Sequence, residues 1–137
     1  MAQLSRRLDK MERILAVQEK LHRYAEWKLA RIAEAQAGLK SDERSLVEAL
    51  NGNDPLQGLF VEAMAKRLAA LAREAERVGL EHAAQTERLF AEALRLGRAE
   101  RMAGRLRREH ADELWKKSFG EIIDTAGRRK PDDASFP

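Results

Sequence analysis

Apolar residues recur every three or four positions along two long stretches of this chain, with one strong turn signal between them. Steps that alternate between three and four keep a single stripe on one side of a helix, which is the heptad spacing of a coiled coil. We therefore predict an all-α protein in which two long helices pack along this stripe. The stripe positions are Leu4, Leu8, Met11, Leu15, Gln18, His22, Ala25, Leu29, Ile32, Gln36, Leu39, Glu43, Leu46 and Leu50, followed by Val61, Met64, Leu68, Leu71, Ala75, Val78, His82, Gln85, Leu89, Glu92, Leu96, Ala99, Ala103 and Leu106.

The turn signal is the segment Asn51-Gly52-Asn53-Asp54-Pro55. Asparagine and glycine tolerate turns, aspartate caps a following helix, and proline fits the first helical position. This segment predicts an antiparallel coiled-coil hairpin, with helix 1 at about 3–50, a turn at 51–54 and helix 2 at about 55–126. Residues 1–127 would form this one hairpin. The polar segment 128–137 contains two prolines and is predicted to be a disordered tail.

The turn also predicts how the two helices align. A hairpin centred on Asn53 and Asp54 pairs residues whose numbers sum to about 107, whereas an alignment one heptad longer pairs numbers that sum to about 114. We predict the shorter alignment because it keeps the turn residues at its centre. In this alignment His22 lies opposite Gln85 in a polar layer. The first residues of helix 1 lie opposite Ala103, so helix 1 covers helix 2 no further than about that residue. The last roughly 20 residues of helix 2, the longer helix, should then project past helix 1 by about 30 Å.

Composition favours long helices over a compact globule. Aromatic residues make up 5% of the chain and charged residues 36%, which leaves little material for a globular core. There is no cysteine, so a disulfide framework and thiolate metal sites are excluded. The net charge is only +3, from 26 basic and 23 acidic residues, so the chain as a whole is not a polycation.

The sequence predicts no membrane segment. Arg6, Arg7 and Asp9 lie where a signal peptide would be apolar, and no stretch approaches the roughly 20 apolar residues that span a bilayer. We therefore expect a cytoplasmic protein without membrane insertion.

No catalytic motif is found in the chain. It lacks the phosphate-binding loop, the nucleophile elbow and the paired-histidine zinc motif. His22 and His82 fall in adjacent layers of the predicted hairpin, but a structural zinc needs four ligands, so polar stripe residues are the favoured interpretation. We expect no enzymatic activity, no cofactor and no metal.

A row of arginines on helix 2 is the first candidate for partner binding. Its members step by three or four residues along one side of the helix, at the same end of the hairpin as basic residues of helix 1. Such a row is either a solvated face with helix-stabilising charge pairs or a docking site for an acidic partner. Nucleic acid is the weaker alternative, because no aromatic residues are interleaved with the arginines. The row is Arg95, Arg98, Arg101, Arg105 and Arg108.

Apolar residues outside the stripe are the second candidate. One set lies on the predicted projecting segment, where helix 1 cannot cover it, and exposed apolar stripes at helical spacing usually bind a partner. A further set on both helices could support self-association instead. The projecting set is Leu114, Trp115, Phe119, Ile122 and Ile123, and the self-association set is Trp27, Leu80, Phe90 and Leu94.

An uneven antiparallel hairpin of this length, with a basic open end and a charged C-terminal extension, resembles the FliJ/YscO family. These proteins are the small coiled-coil stalks of flagellar and virulence type III secretion. The likeness extends to two C-terminal stretches, from Arg107 to Leu114 and from Glu121 to Ala126.

This resemblance implies a bacterial protein at a secretion apparatus, with its paired helix ends in the central hole of a hexameric ATPase. It also implies contact with the export gate and with escort chaperones. The alternatives are a nucleic-acid-binding helical arm that uses the Arg95 to Arg108 row, and a self-associating structural coiled coil.

Overall fold

The computed structural model describes residues 2–52 and 60–128. These residues form two α-helices, α1 over Ala2–Leu50 and α2 over Val61–Gly127, with 49 and 67 residues respectively. The described ranges contain no β-strand. The predicted fold class, an all-α protein with two long helices, is confirmed. The centre of the predicted turn, the start of helix 2 near residue 55, and the predicted tail from residue 129 lie outside the described residues.

Backbone hydrogen bonds mark the ends of the two helices. The Asn51 amide donates to the Val47 carbonyl at 3.0 Å, one residue after α1 ends. The Arg128 amide donates to the Asp124 carbonyl at 2.9 Å, at the end of α2. In the described residues, α1 thus ends at Leu50 and α2 at Gly127.

The predicted stripe is the buried side of both helices. From Leu4 to Leu50 every stripe position is buried or half-buried except Glu43, and on α2 the stripe is covered from Met64 to Leu106. Val61, at the start of α2, is 47% exposed. Every side chain that is buried within the described ranges occupies a stripe position: Leu15, Ala25, Val78, Gln85, Ala99, Ala103 and Leu106.

The contacts divide the chain into two units. Unit 1 comprises Met1–Gln18 with Leu96–Pro137, and unit 2 is Glu19–Arg95. In the described part of the chain, neither helix carries an apolar stretch that could cross a membrane.

The core of unit 1 packs a large side chain against small ones. Leu15 of α1 lies against Ala99 and Ala103 of α2, and Met11 and Leu96 pack around this cluster. Ala103 is fully buried, at 0% exposed. The two alanines leave room for the leucine, so the helices can approach closely at this point.

The contacts of unit 1 contradict the predicted alignment. The packing of Leu15 against Ala99 fits numbers that sum to about 114, whereas the predicted alignment would have set Leu8 opposite Ala99. Arg107 Nε also donates to Glu12 Oε1 at 2.7 Å, and this pair, whose numbers sum to 119, likewise does not fit the predicted sum of about 107. The longer alignment needs a longer loop between α1 and α2, and doubling the length of a loop costs only about 0.6 kcal/mol. Burying a leucine such as Leu15 gains more, roughly 1.5–3 kcal/mol, so the longer alignment is favoured.

Cysteine cross-linking can check this alignment directly, since the chain has no cysteine of its own. We expect Leu15→Cys with Ala99→Cys to close a disulfide within one chain on mild oxidation, because the two side chains belong to one packed cluster. Leu8→Cys with Ala99→Cys is the matched control, and it should stay reduced under the same conditions. Preferential closure of the control pair, read on a non-reducing gel, would restore the shorter alignment.

Unit 2 contains a polar residue inside its helix contact. Gln85 is 4% exposed, and its Nε2 donates to the backbone carbonyl of Ala25 at 3.2 Å. His22 has a different partner, since its Nδ1 lies 2.8 Å from Oε1 of Glu26 on the same helix. The polar layer predicted around His22 and Gln85 therefore consists of two separate interactions. Ala25 is small enough to let the glutamine reach the opposite backbone.

Replacing Gln85 by leucine should raise the melting temperature. One neutral hydrogen bond contributes about 1 kcal/mol, whereas a buried leucine contributes roughly 1.5–3 kcal/mol. Gln85→Ala is the control, and it should lower the melting temperature because it loses the hydrogen bond and leaves a cavity. Thermal unfolding followed by circular dichroism measures both. A lower melting temperature for Gln85→Leu than for the native chain would show that the hydrogen bond outweighs the apolar gain.

Candidate partner-binding face of α2

The side of α2 away from the buried stripe carries most of the predicted site residues of unit 1. A helix turns 100° per residue, so residues seven positions apart lie almost directly above one another. Arg101, Arg108, Trp115 and Ile122 form one such series, and Arg98, Arg105 and Phe119 belong to a second series beside it, whose remaining member is the exposed Asp112. Both series lie on the side of α2 that is roughly opposite Ala99, Ala103 and Leu106. We call this surface the outer face: Arg98, Arg101, Arg105, Arg108, Trp115, Phe119 and Ile122.

The arginines of the outer face have unused hydrogen-bonding capacity. Arg98, Arg101, Arg105 and Arg108 are all exposed, and none of them forms an ion pair with another described residue. A guanidinium has five N–H donors, and no hydrogen bond from these four guanidiniums to another described residue is present. These four residues are therefore available to bind an anion.

The remaining predicted arginine differs from these four. Arg95 belongs to unit 2, and its Nη1 lies 2.8 Å from Oε1 of Glu92, three residues earlier on the same helix. Sequence reasoning missed Arg107, which lies beside the stripe and bonds Glu12 across the two segments of unit 1. Arg107 directly follows the stripe residue Leu106, and this position was the sequence signal that it lies near the helix contact.

Unit 2 shows how a fully paired arginine is arranged in this protein. The guanidinium of Arg77 lies between the carboxylates of Glu74 and Glu81, with Nε donating to Glu74 Oε2 at 3.1 Å. Chiefly through this hydrogen bonding, Arg77 holds the pKa of the Glu74 carboxyl below its ordinary value, and Glu74 in turn raises the pKa of Arg77. Glutamates three or four residues away are thus sufficient to pair an arginine. On the outer face, Glu109 and Asp112 lie four residues after Arg105 and Arg108, but no ion pair joins them among the described residues.

The C-terminal part of the outer face is aromatic and apolar. The Trp115 and Phe119 rings stack with centroids 6.1 Å apart, and the two side chains are 67% and 51% exposed. Ile122 continues this surface and Ile123 flanks it, whereas Leu114, seven residues after Arg107, lies beside the stripe; all three are also exposed. All five apolar residues that the sequence predicted as a partner site are therefore accessible.

The geometry of unit 1 explains this exposure. With numbers that sum to about 114, the residues of α2 after about residue 113 have no α1 residue opposite. The stripe also loses its apolar character there, since Lys117, Gly120 and Asp124 occupy its next positions. The apolar side of α2 thus moves from the inner face to the outer face once α1 ends.

Unit 2 carries an exposed apolar surface of its own. Trp27 lies against Tyr24, with ring centroids 5.8 Å apart, and the Arg31 guanidinium lies 5.4 Å from the Trp27 ring. The other residues predicted for self-association are also exposed, at 69%, 67% and 47% respectively: Leu80, Phe90 and Leu94.

The described residues include no group of three or more His, Asp and Glu side chains that could hold a metal ion. No family model, no curated protein and no solved structure matches this chain. A functional assignment therefore depends on the surfaces of the two units and on the resemblance drawn from the sequence.

Proposed function

We propose that this chain is a non-enzymatic coiled-coil interaction protein, the central stalk of a type III, flagellar-type secretion ATPase. In this proposal unit 1 docks into the hexameric ATPase, and the export gate and escort chaperones are further partners. The same proposal assigns the protein to the bacterial cytoplasm, at the secretion apparatus. The observation that carries it is the outer face, which combines exposed aromatic side chains with four arginines that form no ion pair with another described residue.

A stalk needs a long, narrow body and a charged end. Each α-helix is about 10–12 Å wide with its side chains, so a helix pair is narrow enough to enter the hole of a protein ring. Arg6, Arg7, Lys10 and Arg13 are exposed on the α1 segment of unit 1, which adds to the positive charge of the four arginines. A positive end accelerates association with an acidic partner and orients the approach.

The direct test is a pull-down with the purified hexameric ATPase, together with its ATP hydrolysis rate with and without this chain. We expect binding and a changed hydrolysis rate. Reversing Arg98, Arg101 and Arg105 to glutamate should slow association at least about tenfold and reduce its sensitivity to salt.

The matched control reverses three exposed arginines of unit 2, Arg67, Arg73 and Arg88, and it should leave association nearly unchanged. If no such ATPase binds while short DNA or RNA binds with an affinity that falls steeply with salt, the nucleic-acid arm replaces the stalk. Self-association without either partner would favour the structural coiled coil.

A further inference from the structure

The arginines of the outer face belong to a sequence repeat. Two segments share the pattern Gly-Arg-x-x-Arg, with equivalent positions seven residues apart: Gly97-Arg98-Ala99-Glu100-Arg101 and Gly104-Arg105-Leu106-Arg107-Arg108. Seven residues make about two helical turns, so the two copies lie on the same face, about 10.5 Å apart.

The two copies also have the same local conformation. Arg101 Nη1 lies 3.5 Å from the point where a Cβ atom would stand on Gly97, and Arg108 Nη1 lies 3.7 Å from the same point on Gly104. In each copy the second arginine therefore extends back along the helix, over the glycine four residues earlier. The structure thus holds two equivalent guanidinium sites, each with its donors unpaired among the described residues.

The spacing continues into the apolar part of the outer face. Trp115 follows Arg108 by seven residues, and Ile122 follows Trp115 by seven. Helices that pack at a small crossing angle keep their contacts in register over several turns, so a single helix can contact all four levels. From Arg98 to Ile122 the outer face is about 36 Å long at 1.5 Å per residue.

We infer that the outer face binds one acidic amphipathic helix of a partner protein. Carboxylates seven residues apart on that helix bind the two arginine pairs, and its apolar side chains pack on Trp115, Phe119 and Ile122. This inference depends on the proposed function, because it describes the partner segment that the docking unit recognises. The arginine fork matches a carboxylate with two parallel hydrogen bonds, and the stacked rings offer apolar contact area.

A second copy of this chain is a poor occupant of the same face. If the α2 helices of two copies lay parallel, their arginines would face each other and repel. If the helices lay antiparallel, the arginines of each copy would face the apolar part of the other and find no carboxylate there. Nucleic acid would satisfy the arginines, but Trp115 and Phe119 follow the arginines along α2 instead of alternating with them, and Ile122 offers no ring for a base to stack on. An acidic helix satisfies both halves of the face.

The test uses two synthetic helical peptides and the full-length chain. Both peptides carry leucine at heptad spacing for two heptads, followed by two heptads with glutamate at the equivalent positions, and the second has glutamine in place of each glutamate. We expect the glutamate peptide to bind at least about tenfold more tightly than the glutamine peptide, as measured by fluorescence anisotropy. Equal binding of the two peptides, or binding of neither, would overturn the inference.

Two variants of the chain separate a specific carboxylate site from general positive charge. Changing all four arginines, Arg98, Arg101, Arg105 and Arg108, to lysine keeps the charge but removes the planar fork, so glutamate-peptide affinity should fall about tenfold. The same lysine substitutions at Arg67, Arg73 and Arg88 are the control and should change it less than about twofold. Unchanged peptide affinity in the four-lysine variant, or tighter binding of single-stranded DNA than of the glutamate peptide, would overturn the inference.

The failure of the acidic-helix inference can be distinguished from the failure of the proposed stalk function. If the ATPase binds and neither the four-lysine variant nor the glutamate peptide affects this binding, the stalk stands and the acidic-helix inference fails. If the glutamate peptide binds as expected and no secretion ATPase does, the inference stands and the proposed partner is wrong.

Discussion

Replacing Ala103 by glutamate should separate the two helical segments of unit 1. Ala103 is fully buried in an apolar cluster with Leu15 and Ala99, and Met11 and Leu96 pack against it. An unpaired carboxylate in such a place costs about 3–5 kcal/mol, and the larger side chain adds overpacking. We expect the melting temperature to fall by about 10 °C or more, as followed by circular dichroism.

The neighbouring position provides the control for this experiment. Met102 is 40% exposed, so Met102→Glu places the same charge one residue away on the accessible side of α2. It should change stability by no more than about 0.5 kcal/mol. If the two glutamate variants melt at the same temperature, the burial of Ala103 does not support unit 1, and the packing of the two segments must be reconsidered.

The buried side of the helices could be predicted from sequence because it depends on local periodicity. A helix repeats every 3.6 residues, so a stripe with steps of three and four has one side to bury, whatever its partner. The two exceptions also have physical reasons. Glu43 is charged and stays exposed, and Val61 lies at the first residue of α2.

The alignment of the helices could not be predicted in the same way, because it depends on which side chains meet. The stripe repeats every seven residues, so an alignment shifted by one heptad still pairs stripe with stripe. The turn residues favoured the shorter alignment, but the cost of a longer loop is small. The fit of Leu15 between Ala99 and Ala103 decides it, and that fit appears only when the helices are packed.

The candidate site was predictable in composition but only partly in geometry. The spacing of the arginines was evident from sequence, and so was the glutamate three residues before Arg95 that pairs with it. The contact between Arg107 and Glu12 joins residues 95 positions apart, so local spacing could place Arg107 beside the stripe but could not identify Glu12 as its partner. Counting in steps of seven from Arg101 would have placed Arg108 and Trp115 on one face.

Removing the two stacked rings of the outer face should produce the largest loss of partner binding. For Trp115→Ala with Phe119→Ala we expect the affinity for the secretion ATPase, or for the glutamate peptide, to fall about 100-fold. The contacts of apolar anchors form only once the partner has docked, so removing the anchors should mainly speed dissociation. Surface plasmon resonance measures this rate. Helical content should stay nearly constant, because both side chains are exposed and alanine is a strong helix former.

A second aromatic pair in the same protein makes the control stringent. Tyr24 and Trp27 of unit 2 also lie in contact, are 58% and 56% exposed, and can be replaced by alanine together. That variant loses a similar apolar area but leaves the outer face intact, so its dissociation rate should stay within about twofold of the native chain. Equal losses of affinity in the two variants would mean that non-specific apolar association, rather than the outer face, drives binding. A loss confined to the Tyr24 and Trp27 variant would move the docking surface to unit 2, whose aromatic pair lies beside the exposed Arg31.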